Sequence, residues 1–289
     1  MSTITDPNHA QYRDEADLRA ELARVHDVCN ACRRCVDLCP SFPTLFEMLD
    51  QHEGVEADVL TPSQQDQVVE ACFQCTRCLT ACPYAPGRHE ADIDVPSLML
   101  RAKAVQFDNR HVGTRPKTRA RLLGRSDLVG STATRFPSFA NRLVGAAPGS
   151  WVRRVASKIT KVTAQRPLPG YAAQRFSSWF SARPIVHLRK RHDEVVVFPT
   201  CLVEYQAVDL GRDLVKVYER NGIECTTSAA RCCGASLLHS GDVDRFAKVA
   251  ERNVKTLSDE IRAGGDVVVA QPTCADVIRT HYPRHVQSS

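Results

Sequence analysis

Cys29-Asn-Ala-Cys32-Arg-Arg-Cys35-Val-Asp-Leu-Cys39-Pro40 and Cys72-Phe-Gln-Cys75-Thr-Arg-Cys78-Leu-Thr-Ala-Cys82-Pro83 share one spacing, C-x2-C-x2-C-x3-C-P, written twice in the chain. Three cysteines two residues apart wrap one corner of an iron–sulfur cube and present thiolates to three irons. The fourth lies too far along the backbone to reach that cube easily, and in two-cluster ferredoxins it ligates the other one. The spacing therefore predicts two [4Fe–4S] clusters with exchanged ligands. Cys29, Cys32, Cys35 and Cys82 would hold one, and Cys72, Cys75, Cys78 and Cys39 the other. Structural zinc, the alternative, uses two separated C-x2-C pairs and leaves the third cysteine and the Cys-Pro without a role. The prolines stop the chain from continuing as regular helix.

Between Cys39 and Cys72 lie Leu45, Phe46, Leu49, Val68 and Val69, with Phe73 just beyond, which suggest helices. Residues 25–95 are thus expected to form an all-helical two-cluster ferredoxin-like domain. Residues 1–24 read as a polar lead-in ending in a helix, with Leu18, Leu22 and Val25 at helical spacing.

A chain of 289 residues with 43% hydrophobic and 25% charged residues is a packed protein of about two domains. No apolar run is long enough to span a membrane. Met1 to Arg24 lacks the order of a secretory signal. A cytoplasmic location follows, where thirteen cysteines read as metal ligands or catalytic thiols before disulfides.

The net charge of +5 hides an asymmetry: residues 101–192 carry 20 Lys/Arg against 2 acidic residues, Asp108 and Asp127, leaving 18 basic and 31 acidic residues elsewhere. Residues 96–192 are read as a basic helical connecting region that meets something anionic. Within it Trp151, Val152, Val155, Ile159 and Val162 repeat at helical spacing, with Arg153, Arg154, Lys158 and Lys161 between them. That pattern suits a helix on an anionic membrane surface, and equally a helix packed on its own protein with a solvated face. No nucleic-acid module is recognised, and no nucleic-acid partner is expected.

Residues 193–289 alternate strand-like and helix-like runs. Glu194-Val-Val-Val-Phe198, Ile223-Glu-Cys-Thr226 and Asp266-Val-Val-Val-Ala270 read as strands. A helix through Asp209 to Glu219 and a longer one from Asp242 to Gly264 separate them. The longer helix is expected to bury Phe246, Val249, Val254, Leu257 and Ile261. Such alternation predicts a small parallel sheet. Phe198-Pro-Thr-Cys201 and Gln271-Pro-Thr-Cys274 each follow a strand, which sets Cys201 and Cys274 just past its carboxyl end, where α/β sheets build sites. With Cys232-Cys233-Gly234 they make a third candidate set: Cys201, Cys232, Cys233 and Cys274. It reads as a third Fe–S cluster, a thiol redox site with Cys232 and Cys233 as catalytic candidates, or four buried cysteines. Cys225 reads as core, and His239 as a loop residue or a donor near the set. No dinucleotide or ATP motif is present, so no NAD, FAD or ATP site is indicated.

The two cysteine runs, the basic middle, Arg231-Cys-Cys-Gly234 and Pro272-Thr-Cys274 together resemble the CCG-domain iron–sulfur subunits. That group includes the C subunit of anaerobic glycerol-3-phosphate dehydrogenase, the iron–sulfur subunits of glycolate and lactate oxidation systems, and heterodisulfide reductase-related proteins. The resemblance implies an α+β multidomain chain with a C-terminal α/β CCG domain over 193–289. It implies electron transfer between a flavoprotein or thiol partner and a quinone or other acceptor, peripheral to the inner face of the plasma membrane. Cys39-Pro-Ser-Phe-Pro-Thr-Leu-Phe46 with Cys82-Pro-Tyr84 resembles a subgroup found alongside rubrerythrin-type peroxide-reducing proteins. Two departures stand out. One CCG half is present where the family usually has two, and Val277 stands where many members place another cysteine. These imply one simpler cluster and a truncated or split member. A reductase acting at the CCG cysteines and a noncatalytic Fe–S redox sensor are the alternative functions.

Overall fold

The structure, a computed structural model, describes residues 3–52, 56–109, 126–160, 163–184 and 194–286. Two compact units divide the chain: residues 1–117 with 237–243, and residues 118–236 with 244–289.

The first unit is helical. Asp14 caps helix α1 (Glu15–Cys32) by accepting a bond from the Asp17 N–H. Leu18, Leu22 and Val25 follow at helical spacing and are fully buried. Ser41–Asp50 forms α2, and Pro62–Glu70 forms α3 behind a Thr61/Gln64 capping box. Arg77–Ala81 forms the short α4, and Val95–Asn109 forms α5. Leu45, Phe46, Leu49, Val68, Val69, Leu98 and Met99 close one apolar core with the α1 residues. Phe73 is not part of it: its ring is 68% exposed. α1 runs across residue 24, and α5 packs in this unit although it opens the basic stretch of the sequence. Arg101 on α5 has no exposed surface. Its guanidinium donates to the Tyr12 and Gln11 carbonyls and, at 2.6 Å, to Asp17. The first cation of the basic stretch is thus spent inside the fold, on the chain's own carbonyls and carboxylate.

The second unit holds the sheet. Strands β1 (Glu194–Phe198), β2 (Glu224–Thr227) and β3 (Asp266–Val269) are parallel in the order β2-β1-β3. Val195 faces Cys225 on one side and Asp266 on the other. The other described helices of this unit are α6 (Ser126–Arg135), α7 (Pro137–Val144), α8 (Trp151–Thr160), α9 (Phe176–Ala182), α10 (Cys201–Tyr205), α11 (Val208–Arg220), α13 (Val243–Arg262) and α14 (Pro272–Asp276), while α12 (Ala235–His239) runs across the division between the units. A π-helical turn, Val277–His281, leads into α15 (Tyr282–His285). Cys225 is buried in the apolar cluster of Phe176, Val195, Val197, Val203 and Val215.

Three expectations need correction. Ile261 is 57% exposed, and the buried stripe of α13 instead runs Phe246, Ala250, Asn253, Leu257. His239 ends a helix rather than lying in a loop. α8 turns the opposite way to a helix packed by its apolar residues: Trp151 and Val155 are exposed and Arg153 is buried, donating to the Val144 and Arg166 carbonyls. Lys161 and Val162, which extend that pattern, lie outside the described residues.

Candidate metal centres

Each cysteine run is shaped by backbone turns that L-residues seldom adopt. Arg33 (φ 50°) lies between Cys32 and Cys35, Gln74 (φ 55°) between Cys72 and Cys75, and Thr76 (φ 58°) between Cys75 and Cys78. Left-handed conformations at non-glycine residues carry strain, and surrounding contacts must hold them. Arg33 is held firmly: its guanidinium pairs with Asp50, donates to Asn30, and lies 5.0 Å from the Phe46 ring centroid. These reversals bend each run so that its first three sulfurs line one hollow.

Two cavities result. One, of about 320 Å³ including its mouth, is lined by Cys29, Cys32, Cys35 and Cys82 with Val28, Phe42 and Tyr84 among the others. The other, of about 350 Å³, is lined by Cys39, Cys72, Cys75 and Cys78 with Phe42, Phe73 and Gln74. Each cavity draws three cysteines from one run and one from the other. Phe42 forms part of both walls.

The thiols repel ionisation, and each other. The Cys29 thiol is held well above the usual range by burial first, then by the neighbouring thiolates of Cys82, Cys35, Cys78 and Cys32. Burial followed by Cys82 pushes Cys35 to about 11, and burial followed by Cys72 pushes Cys78 to about 12. Four thiols around one hollow are a donor set for cations, and metal binding removes the protons that burial holds on Cys29, Cys35 and Cys78 and reverses the repulsion. The residues fit an iron–sulfur cluster at each cavity. Two polar groups serve the second cavity: the Gln74 side-chain N–H lies 3.7 Å from Cys72 Sγ, and the largely buried Lys103 donates to the Cys72 carbonyl at 3.0 Å.

The CCG turn is built by α13 and α15. Asn253 accepts from the Arg231 N–H and donates to the Arg231 and Cys232 carbonyls. Its amide also donates to the Tyr282 hydroxyl, which donates in turn to the Cys233 carbonyl at 3.0 Å. Gly234, at φ +83°, completes the turn in a conformation that suits glycine. Cys201 stands at the start of α10, where Thr200 caps the helix. The four thiols form a chain of contacts: Cys201 Sγ to Cys232 Sγ at 2.9 Å, Cys232 to Cys233, and Cys233 Sγ to Cys274 Sγ at 3.1 Å. The Cys233 thiol is held far above its usual range by its bonds to Cys232 and Cys274 and by burial.

A fifth group joins them. A carboxylate oxygen of Asp127, on α6, lies within 4.8 Å of both the Cys201 and Cys232 sulfurs. It accepts from the Cys232 N–H, and its pKa is raised by burial and by the Cys232 thiolate. The sequence marks Asp127 only as one of two acids in a basic stretch, and that rarity is its signal. Asn253 carries a signal too, as an amide on the apolar face of α13.

Residues 22–109 match the family model for the Citrate utilization protein B Fer4-like domain, and residues 195–279 match that for the CCG cysteine-rich domain. The C subunit of anaerobic glycerol-3-phosphate dehydrogenase from Escherichia coli K12 is 30% identical over 195 residues, covering 67% of this chain and 47% of that protein. The same protein from Escherichia coli O157:H7 aligns equally. The B subunit of fumarate reductase (CoM/CoB) from Methanothermobacter marburgensis is 29% identical over 90 residues, 30% of this chain and 17% of that protein. The chain spans about half the length of the glycerol-3-phosphate dehydrogenase subunits it matches. No solved structure matches.

Proposed function

The chain joins a Fer4-like domain to a CCG cysteine-rich domain and belongs among the CCG-domain iron–sulfur subunits, and from that premise we propose that it is the electron-transfer subunit of an oxidoreductase with two [4Fe–4S] clusters. Cys29, Cys32, Cys35 and Cys82 hold one cluster, and Cys72, Cys75, Cys78 and Cys39 hold the other. The observation that carries this reading is the pair of neighbouring cavities, each lined by four cysteines in a three-plus-one division. Bound there, each cluster supplies a one-electron couple. The chain's own contribution is to fix the sulfurs with the turns at Arg33, Gln74 and Thr76, and to set charge and hydrogen bonds beside them through Lys103 and Gln74. A third metal site lies among Cys201, Cys232, Cys233 and Cys274.

The donor is a flavoprotein or thiol partner; the relatives' names, which are those of subunits of a dehydrogenase and of a reductase, support a redox partner subunit. The acceptor is a quinone or another acceptor. No helix among the described residues is long and apolar enough to cross a membrane. Support for a peripheral contact comes from the exposed Phe136, Phe139, Leu143, Trp151 and Val155 beside the exposed Arg142, Arg154 and Lys158, a combination suited to an anionic lipid surface.

Anaerobic iron and sulfide analysis with EPR tests the core of the proposal. About eight irons per chain in two interacting four-iron clusters is the expected result. Stoichiometric zinc with no iron would overturn it. A second reading, a thiol–disulfide reductase, is favoured by the close sulfur pairs Cys201–Cys232 and Cys233–Cys274. Disulfide turnover by the isolated chain, abolished by Cys232→Ser, would establish it.

A further inference from the structure

We propose that Asp127 is a metal ligand: with Cys201 and Cys232 it forms a site for a single divalent, thiophilic cation, so that the CCG-side centre is mononuclear and draws one oxygen ligand from outside the CCG segment. The proposal rests on the reading above that the CCG cysteines hold metal, and deepens it by naming the ion class and the missing donor.

The geometry is that of one ion. The two sulfurs and the carboxylate oxygen all lie within 4.8 Å of one another. A tetrahedral zinc-like ion, with bonds of about 2.3 Å to sulfur and about 2.0–2.2 Å to oxygen, needs donors spaced by roughly 3.5–3.8 Å. Cys201 Sγ and Cys232 Sγ are 2.9 Å apart and would part by under about 1 Å to admit such an ion, whereas thiolates on different irons of a cube stand much further apart. Three protein donors leave a fourth position for water or a substrate thiol, the arrangement of reactive rather than structural zinc sites. All three donor residues are half-buried, so an ion can reach them.

The carboxylate is carried by a helix locked in place. A Cβ at Gly130, one turn after Asp127, would fall 2.3 Å from the Tyr205 ring, so the absence of a side chain there lets α6 lie against the end of α10, the helix that begins with Cys201. Arg175 fastens the other side: it donates to the Ser131 carbonyl at 2.8 Å and the Thr134 hydroxyl at 3.1 Å, and its guanidinium lies 5.7 Å from the Tyr205 ring centroid. Asp127 also accepts from the Cys232 N–H, so its carboxylate is oriented toward the turn that carries the second sulfur. Cys233 and Cys274 lie 3.1 Å apart and are buried, and Cys233 also bonds to Cys232.

The test uses the full chain with its two clusters intact, washed with EDTA and titrated anaerobically with Co²⁺, and reads the high-spin cobalt EPR signal and bound stoichiometry. Wild type should take up one cobalt per chain with thiolate coordination. Asp127→Ala should weaken binding by more than the roughly 10–100-fold that loss of an outer-shell partner costs. Asp127→Cys, which supplies a different donor atom at the same place but cannot reproduce a carboxylate's bond to the Cys232 N–H, should restore it. Cobalt affinity unchanged in Asp127→Ala, or Asp127→Cys no better than alanine, would overturn the assignment. So would iron in excess of the two clusters at this site with no cobalt uptake by wild type. The two-cluster reading fails separately: fewer than the expected irons, with cobalt still bound through Asp127, would remove the clusters and leave this site standing.

Discussion

Lys103 places a cation against the backbone of Cys72 in a largely buried setting. A cluster gains negative charge on reduction, so a nearby cation favours the reduced form. Lys103→Met should therefore make one of the two couples more negative by tens of millivolts, at about 59 mV per tenfold change for one electron. The couple of the Cys29 cluster should move far less. An EPR-monitored redox titration checks this, and two unshifted couples would remove the cation from the account. His26 is a different case: it is fully buried, neither ring nitrogen has a hydrogen-bond partner, and burial lowers its pKa to about 4. Because its folded pKa lies below the unfolded value of 6.5, the unfolded chain binds the proton first. The associated stability is complete above pH 6.5 and is lost as pH falls toward 4, by of order 3 kcal/mol in full. His26→Met should shrink the gap between urea midpoints measured at about pH 7, above that loss, and about pH 5, within it. At this scale the sequence is readable where chemistry is written in covalent spacing. The eight cysteines of the two runs announce themselves by their intervals alone. Asp127 cannot, because its meaning depends on two sulfurs far downstream that only the folded chain brings near.

Elements are legible to the extent that their periodicity is honest. α1 and the three strands follow their patterns closely, since burial of Leu18, Leu22 and Val25, or of Val195 to Val197, is the reason those patterns exist. α13 misleads at its end: apolar Ile261 faces solvent while polar Asn253 is buried, because the CCG turn needs its hydrogen bonds more than the core needs another methyl group. α8 misleads by hydrogen bonding too, since the carbonyls of Val144, at the end of α7, and of Arg166 draw Arg153 inward and leave Trp151 outside. The element most open to test is α6. Gly130→Ala would force a methyl group into the Tyr205 ring, an overpacking that costs about 1–3 kcal/mol. It should lower the thermal midpoint of the second unit and also reduce metal uptake at the Asp127 site, with the two clusters unaffected. A lowered midpoint with undiminished uptake would show that the helix position does not govern the carboxylate.

For the molecule as a whole, the basic middle is the least readable part. Its charge suggests an external anion, yet Arg101, Arg153, Arg175 and Arg183 are all drawn into internal contacts, Arg183 with Glu219 at 2.9 Å. Charge counts cannot distinguish a cation that meets solvent from one that caps its own carbonyls. The division of cysteines between cavities has a consequence that reaches across the first unit. If Cys82 serves the centre of the first run, Cys82→Ser should disturb the Cys29 cluster while leaving the three cysteines of its own run, with Cys39, to hold theirs. Cluster-resolved EPR would show this, and selective loss of the Cys72 cluster would refute the exchange.

Phe42 lines both cavities and is 5% exposed. One wall shared by the two cavities is then a buried aromatic ring. Charge crossing it waits for no loop to open and no domain to swing, and little solvent has to rearrange around it. The internal hop would be insulated from whatever docks outside, and turnover would be paced by entry and exit of electrons rather than by this step. Equilibration between the clusters after flash reduction should accordingly be indifferent to solvent viscosity, and a rate that slows in glycerol would reveal a moving part within the wall.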